Sequence, residues 1–316
     1  MTGIKLDLLK NINIVLNNKE KTTSRFYFVK KNDSQNKLYL ANMEPNLLEE
    51  ASVEMNSQIT KSIIHSNLEV IDFLTADERP KVIYHFKEGT SQLGKINKIL
   101  SQINSNVTKY KNSDFNDIEL FVSYLESNDH HVVTFKIIYP FQTIKKNTTM
   151  MFKHDQLVTV DDNLFRYSYE FDFFVSDGDL YILNLEKFEK FFNLNHIIKN
   201  EAQKLLKIVK PLNYFDDKNF EPFNKYITED IKLGKKFLKG KNNINESFSK
   251  IKFKELKDYA KSSNAYKDII EVTPEADSFV IHSKESVINL LKLFNEDRWE
   301  SPLTKNIYDA KAKDKV

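Results

Sequence analysis

The stretch FDFFVSDGDLYILNLEKFEKFF, Phe171 to Phe192, decides how the middle of the chain is built. Asp177-Gly178 supplies the two central positions of a tight hairpin, where both residues take positive φ, and Asp, Asn and Gly are the types that tolerate it. The flanking runs FDFFVS and DLYILN are aromatic and aliphatic, so they read as paired antiparallel strands. With a period of two, Phe171, Phe173 and Val175 share one face. Leu185, Phe188 and Phe192 then recur at helical spacing, so a short helix follows and lays an apolar stripe back on the sheet. Six phenylalanines in this stretch read as core rather than as a cofactor box. Asp172 is the one residue in it worth testing for chemistry.

The same logic extends outward. Upstream, IELFVSYLES and HHVVTFKIIYPF are joined by Asn128-Asp129, a second pair suited to a tight turn, and LVTV and FRYSYEFDFFV follow. Strands in succession without intervening helices predict an antiparallel sheet. Nearer the N-terminus, residues 5–17 carry a helical apolar stripe, RFYFVKK and KLYLANM read as a hairpin, and Leu47 to Met55 as a helix. LEVIDF is ambiguous, KVIYHFKE reads as a strand, and Leu93 to Ile103 restore a helical period. Beyond Leu185 the period is helical. Pro211 and Pro222 punctuate it, Ile244 to Tyr259 reads as one basic helix, DSFVIH as a short strand, and Ser283 as the N-cap of a last helix carrying Val287, Leu290, Leu291 and Phe294. The expected fold class is α+β, a mainly antiparallel central sheet with flanking helices and a helical, basic C-terminal half. The expected division is an N-terminal α+β region over 1–112 and a second region over 113–316.

Apolar residues at 41% and charged residues at 29% of 316 are globular values, so a packed core is expected. With no cysteine there is no disulfide, no thiolate metal site and no thiol nucleophile. Lys5, Asp7 and Lys10 interrupt the first apolar run, which predicts no secretory signal, and VVTFKIIYPF is far too short to span a bilayer. A cytoplasmic address fits both, with any membrane association made through a partner. Charge is unevenly placed: 23 basic and 26 acidic residues precede Lys199, and 24 basic and 19 acidic lie from there on. Ile231 to Lys261 holds ten lysines against Glu246, Glu255 and Asp258. Such a run is either a solvated helix face or a footprint for a polyanion.

Motifs for catalysis are missing or broken. The nearest approach to a phosphate loop, GKKFLKGKN over 234–242, has five residues between its glycines and Asn242 where a hydroxyl belongs. His130 and His131 are adjacent and would face opposite ways in a strand, and His65, His85, His154, His196 and His282 are isolated, so each reads as an ordinary structural or surface histidine. A magnesium nuclease of the PD-(D/E)xK kind could use Asp172, but DLYILN lacks the acid-x-lysine, and Glu255-Leu256-Lys257 has the spacing on a helical pattern. No serine sits in a glycine-flanked elbow, and the lone tryptophan reads as packing. The sequence therefore assigns no catalytic residue, no metal ligand and no cofactor. Its distributed signal is attraction to a polyanion such as DNA, through Lys232, Lys235, Lys236, Lys239, Lys241, Lys250, Lys252, Lys254 and Lys257, interleaved with Phe237, Phe248, Phe253 and Tyr259, and a solvated helix whose phenylalanines are core accounts for the same pattern equally well. A nuclease built around Asp172 and a protein-binding adaptor without DNA affinity stand as the alternatives.

Two stretches carry a resemblance. Phe171-Asp172-Phe173, a short turn, Ile182-Leu183-Asn184 and then Phe188-Glu189-Lys190-Phe191-Phe192 resemble the central motif of the KwaB family of the bacterial Kiwa anti-phage system. LLKLFNEDRWESPLTKNIYDAKAKDK resembles that family's closing pattern of apolar helix, acidic turn, Ser-Pro-Leu-Thr, tyrosine and lysine. The resemblance covers residues 117–316 in pattern and order. It implies a cytoplasmic, self-associating DNA-binding effector, recruited to the inner face of the membrane by its embedded partner KwaA, that blocks replication or expression of phage DNA. Neither motif carries catalytic chemistry, and the lysine assignment rests on this sequence alone.

Overall fold

A computed structural model describes the chain except for residues 1–2, 18–21, 32–35, 67, 76–80, 104, 112–114, 140–142, 145–149, 154–155, 160–163, 274–277 and 311–316. It divides into two compact units, residues 1–71 with 81–192, and residues 72–80 with 193–316.

The first unit is organised by an eight-stranded sheet. In chain order its elements are α1 (Gly3–Asn17), β1 (Thr23–Lys30), β2 (Leu38–Leu40), α2 (Pro45–Ile59), β3 (Glu69–Asp72), β4 (Val82–Phe86), α3 (Gly89–Gln92) and α4 (Gly94–Gln102). There follow β5 (Ile118–Ser127), β6 (His130–Ile137), β7 (Thr143–Ile144), β8 (Met150–Lys153), β9 (Gln156–Thr159), β10 (Leu164–Phe165), β11 (Phe173–Ser176), β12 (Asp179–Ile182) and α5 (Leu185–Phe192). Strand order in the sheet is β2-β1-β5-β6-β11-β12-β4-β3, while β7 pairs with β10 and β8 with β9 outside it. Every pairing from β2 across to β4 is antiparallel. The class is α+β, as the sequence predicts.

Both quoted turns form as their chemistry requires. Asn128 and Asp129 have φ of 50° and 64°, and Asp177 and Gly178 have 48° and 89°. These turns set the register of β5 on β6, where Ser127 faces His130, and of β11 on β12, where Ser176 faces Asp179. The expected division at residues 112/113 cuts through this sheet. β1 pairs with β5, and β4 pairs with β12, so the N-terminal third supplies strands at both edges of the sheet whose centre comes later in the chain.

Each face of the sheet is covered. On one, Leu8, Ile12 and Val15 of α1 and Ala51, Met55 and Ile59 of α2 pack with Phe26, Phe121, Leu125, Phe174 and Tyr181. On the other, Phe173 stacks on Phe135 at 4.8 Å and meets Phe188 and Phe192 of α5 at 5.0 and 5.5 Å, so α5 docks as its stripe predicts. Phe171 departs from the expected face. It sits edge-on to Phe174 at 5.9 Å in the α1/α2 cluster, because β11 begins only at Phe173 and the chain turns at Asp172 before it.

The second unit is helical: α6 (Asn195–Val209), α7 (Asp217–Glu229), α8 (Ile231–Lys239), α9 (Lys241–Glu246), α10 (Phe253–Ser262) and α11 (Lys284–Phe294), closed by a hairpin of β13 (Arg298–Glu300) and β14 (Ile307–Asp309). Its core is aromatic, with Phe223 on Phe237 at 5.6 Å and Tyr214 and Phe248 on Phe294 at 6.2 and 5.6 Å. Tyr214 is buried, which pushes its hydroxyl up to about 12, and that hydroxyl donates to the carbonyls of Phe248 and Ile251. Pro222 lies inside α7 rather than ending a helix. The single basic helix expected over Ile244 to Tyr259 is broken into α9, a 3-10 turn over Phe248–Lys250, and α10. Burial of Phe248 against Phe294 bends the chain there, and helical periodicity alone does not register that tertiary contact. In place of the strand expected at DSFVIH there is an isolated bridge from Phe279 to Val272. Ser283 caps α11 as predicted, accepting from the Ser286 amide.

Asp230 caps α8. Its carboxylate accepts from the Lys232 and Leu233 amides at 2.9 and 3.3 Å and pairs with Lys284. The bond from Lys284 is the main reason its pKa lies below the usual carboxylate range. Asp230→Ala is expected to cost about 1 kcal/mol of stability at neutral pH. Because the folded pKa is depressed, that contribution is present above the unfolded value and lost as pH falls from about 4 through the folded one. Urea unfolding of wild type and variant at pH 7 and pH 3 checks both statements.

Candidate nucleic-acid interface

The nine lysines singled out in the sequence all lie in the second unit, on α8, α9 and α10 or the turn before α10, and their surroundings differ. Lys232, Lys250, Lys252 and Lys254 are exposed, and none of them is ion-paired among the described residues. Lys250, Lys252 and Lys254 follow one another at the 3-10 turn and the start of α10. The other five are half-buried.

Lys239 has a structural task. Its Nζ lies 2.8 Å from Asp297 Oδ1, with the two side chains 18% and 6% exposed. The neighbouring Asn295 donates to the Lys236 carbonyl at 2.9 Å, so this network ties the C-terminal end of α8 to the turn after α11. Gly240 leaves room for this network: a Cβ on it would stand 2.5 Å from Asn295 Oδ1 and push that side chain aside. Burial pulls the Lys236 ammonium below its usual pKa, with Asp297 acting in the opposite sense. Lys241 stands 3.6 Å from Glu201. The glycine-containing run at 234–242 is thus helix, α8 running into α9, and forms no loop that could cradle a phosphate.

The interleaved aromatics also separate. Phe237 and Phe248 are core, Phe253 is half-buried, and Tyr259 is 53% exposed. Trp299, expected as packing, is 48% exposed and stacks on Tyr308 across the C-terminal hairpin at 5.2 Å. A lone tryptophan in a polar tail carries no periodic signal, so its surface position is not visible from spacing.

Asp172, in the first unit, is only 4% exposed. Its Oδ2 accepts from the Ile137 amide at 2.9 Å and its Oδ1 from Lys187 at 2.8 Å, while its backbone amide donates to the Phe135 carbonyl. Lys187 stands within the first turn of α5, where Asn184 accepts its amide, so the residue is aimed by the helix start. Burial works to lower the Lys187 pKa, and the bond and charge of Asp172 outweigh it, leaving it raised. Lys136, 8% exposed, is pulled down by burial against Asp172 and Glu170, and donates to Ser168 Oγ at 2.7 Å and the Glu170 carbonyl at 3.1 Å. Sequence reasoning found Asp172 and missed these two lysines. The signal was there in VVTFKIIY, one charge in an apolar strand, which has to find a partner once buried. Both carboxylate oxygens of Asp172 are engaged by the protein, and no group of three or more His, Asp or Glu side chains among the described residues could hold a metal ion.

The histidines are scattered. His85 packs on Tyr181 at 5.0 Å with Nε2 3.0 Å from Asp179, and His130 Nδ1 lies 3.3 Å from Asp177, so two of them clasp the β11–β12 turn. His65, His196 and His282 are exposed, and His154 lies outside the described residues.

A sequence model of the family described as Kiwa protein KwaB-like matches residues 115–304, which include β5 through β13, the Asp172 cluster and all nine lysines. The chain belongs to that family. Kiwa protein KwaB of Escherichia coli O55:H7 (strain RM12579 / EPEC) is 22% identical over 292 residues, covering 89% of this chain and 90% of that protein. No solved structure matches. The homology supports a role in anti-phage defence. Among the described residues no helix is long and apolar enough to cross a membrane.

Proposed function

We propose that the chain is an anti-phage defence protein that binds DNA without sequence preference and acts together with a membrane-embedded partner to block replication or expression of phage DNA. The observation that carries the DNA reading is the group of exposed lysines Lys232, Lys250, Lys252 and Lys254, which are not ion-paired among the described residues. Cations held in solvent supply the salt-sensitive, sequence-independent attraction that a polyphosphate requires. Family membership supports the defence setting and a partnership within the Kiwa system. The membrane partner KwaA, recruitment to the inner face of the membrane and self-association follow from the resemblance of the two sequence motifs.

Binding of the purified full-length chain to an arbitrary duplex across a salt series tests the reading. Affinity is expected to fall log-linearly with salt and to be the same for unrelated sequences. Absence of binding even at low salt would promote the adaptor alternative. DNA cleavage supported by magnesium and abolished by Asp172→Asn would promote the nuclease.

A further inference from the structure

Phe248, Ile251 and Glu255, which alternate along the chain with Lys250, Lys252 and Lys254, line a groove of about 430 Å³ between α10, the end of α11 and the C-terminal hairpin. Its floor is apolar, made by the buried side chains of Phe248, Leu256 and Leu293. Two half-exposed aromatic rings, Tyr259 and Trp299, line it as well. The site is held in shape: Tyr266 donates to the Arg298 carbonyl at 2.7 Å, fixing β13, and Trp299 is backed by Tyr308. Groups that could read a ligand's polar edge are present. Glu255 and Glu296 line the groove, as does Arg298, whose guanidinium is committed to Asp309 at 3.3 Å.

We infer that this groove takes an unpaired nucleobase of a DNA strand whose phosphates lie on the adjacent lysines, an inference that rests on the DNA-binding reading above. The volume lies in the range of small-ligand sites, and a duplex cannot enter it. Charge decides which part of a nucleotide goes in. Two carboxylates repel phosphate, so the backbone stays outside, where Lys250, Lys252 and Lys254 precede or flank Glu255 along the chain. The neutral base enters instead. Aromatic rings stack on any base through its π face, and the carboxylates of Glu255 and Glu296 accept from its amino and imino hydrogens. The consequence is a preference for single-stranded over duplex DNA.

Trp299 is the only tryptophan, so its fluorescence reports this site alone. A single-stranded oligonucleotide of about a dozen mixed nucleotides should quench it, and the matching blunt duplex should not. By anisotropy of labelled DNA, Tyr259→Ala and Trp299→Leu should each weaken single-strand binding about tenfold and leave duplex binding unchanged, with Trp299→Phe close to wild type. Both side chains are about half exposed, so their truncation spares the core. If both DNA forms bind with the expected salt dependence while Trp299 emission and the variants' affinities do not move, the groove inference is overturned and the DNA reading stands. If neither form binds at low salt, both fall. Quenching by a lysine-rich peptide and not by the oligonucleotide would make the groove a peptide site and overturn the inference.

Discussion

Replacing Asp172 with alanine is expected to lower the stability of the sheet-containing unit by about 3 kcal/mol. The exposed half of Lys187 limits what the Asp172–Lys187 pair contributes, since water screens it. The larger loss comes from what the carboxylate leaves behind. The Ile137 amide would be buried without an acceptor, and Lys136, nearly as buried, would lose the carboxylate that most favours its protonated form. Asp172→Asn keeps the volume and one acceptor oxygen, so it should cost about half as much. Urea unfolding followed by far-UV circular dichroism measures both. The nuclease alternative makes the opposite forecast, that Asp172→Asn leaves stability untouched and abolishes cleavage. An Asp172→Ala protein that unfolds at the same urea concentration as wild type would remove the structural role argued for this residue.

Local chemistry was legible in the sequence and non-local chemistry was not. Asn128-Asp129 and Asp177-Gly178 announced their turns, because the positive φ that a tight hairpin needs restricts residue type at that position. Leu185, Phe188 and Phe192 announced a docked helix for the same kind of reason. What spacing could not give was the partner of β1. Four consecutive buried residues, Phe26 to Val29, signal a strand covered on both faces, but its pairing with β5 joins segments about ninety positions apart. The expected division near residue 112 came from reading local hairpins as a local domain. The site behaved likewise: lysine density located a cationic region, yet whether a given ammonium faces solvent or Asp297 is decided by how α8 packs against the turn after α11.

That difference dictates which lysines to change. Reversing Lys239 would set a glutamate against the buried Asp297, and reversing Lys236 would bury a carboxylate, so both variants would lose affinity through damage to the fold. The exposed set carries no such penalty. Exchanging Lys232, Lys250, Lys252 and Lys254 together for glutamate should weaken duplex binding by at least about 100-fold at low salt. If all four contact phosphate, the slope of log affinity against log salt should become shallower by about 3–4. The thermal unfolding midpoint should stay close to wild type, because exposed charges contribute little to stability. Lys→Gln at the same four positions separates lost attraction from added repulsion, and should give the same change in slope with a smaller fall in affinity. Unchanged affinity and slope in the glutamate variant would clear these lysines from the interface. A fall in affinity with no change in slope would mean that the loss arises from structure rather than from phosphate contacts, since only released counterions tie affinity to salt.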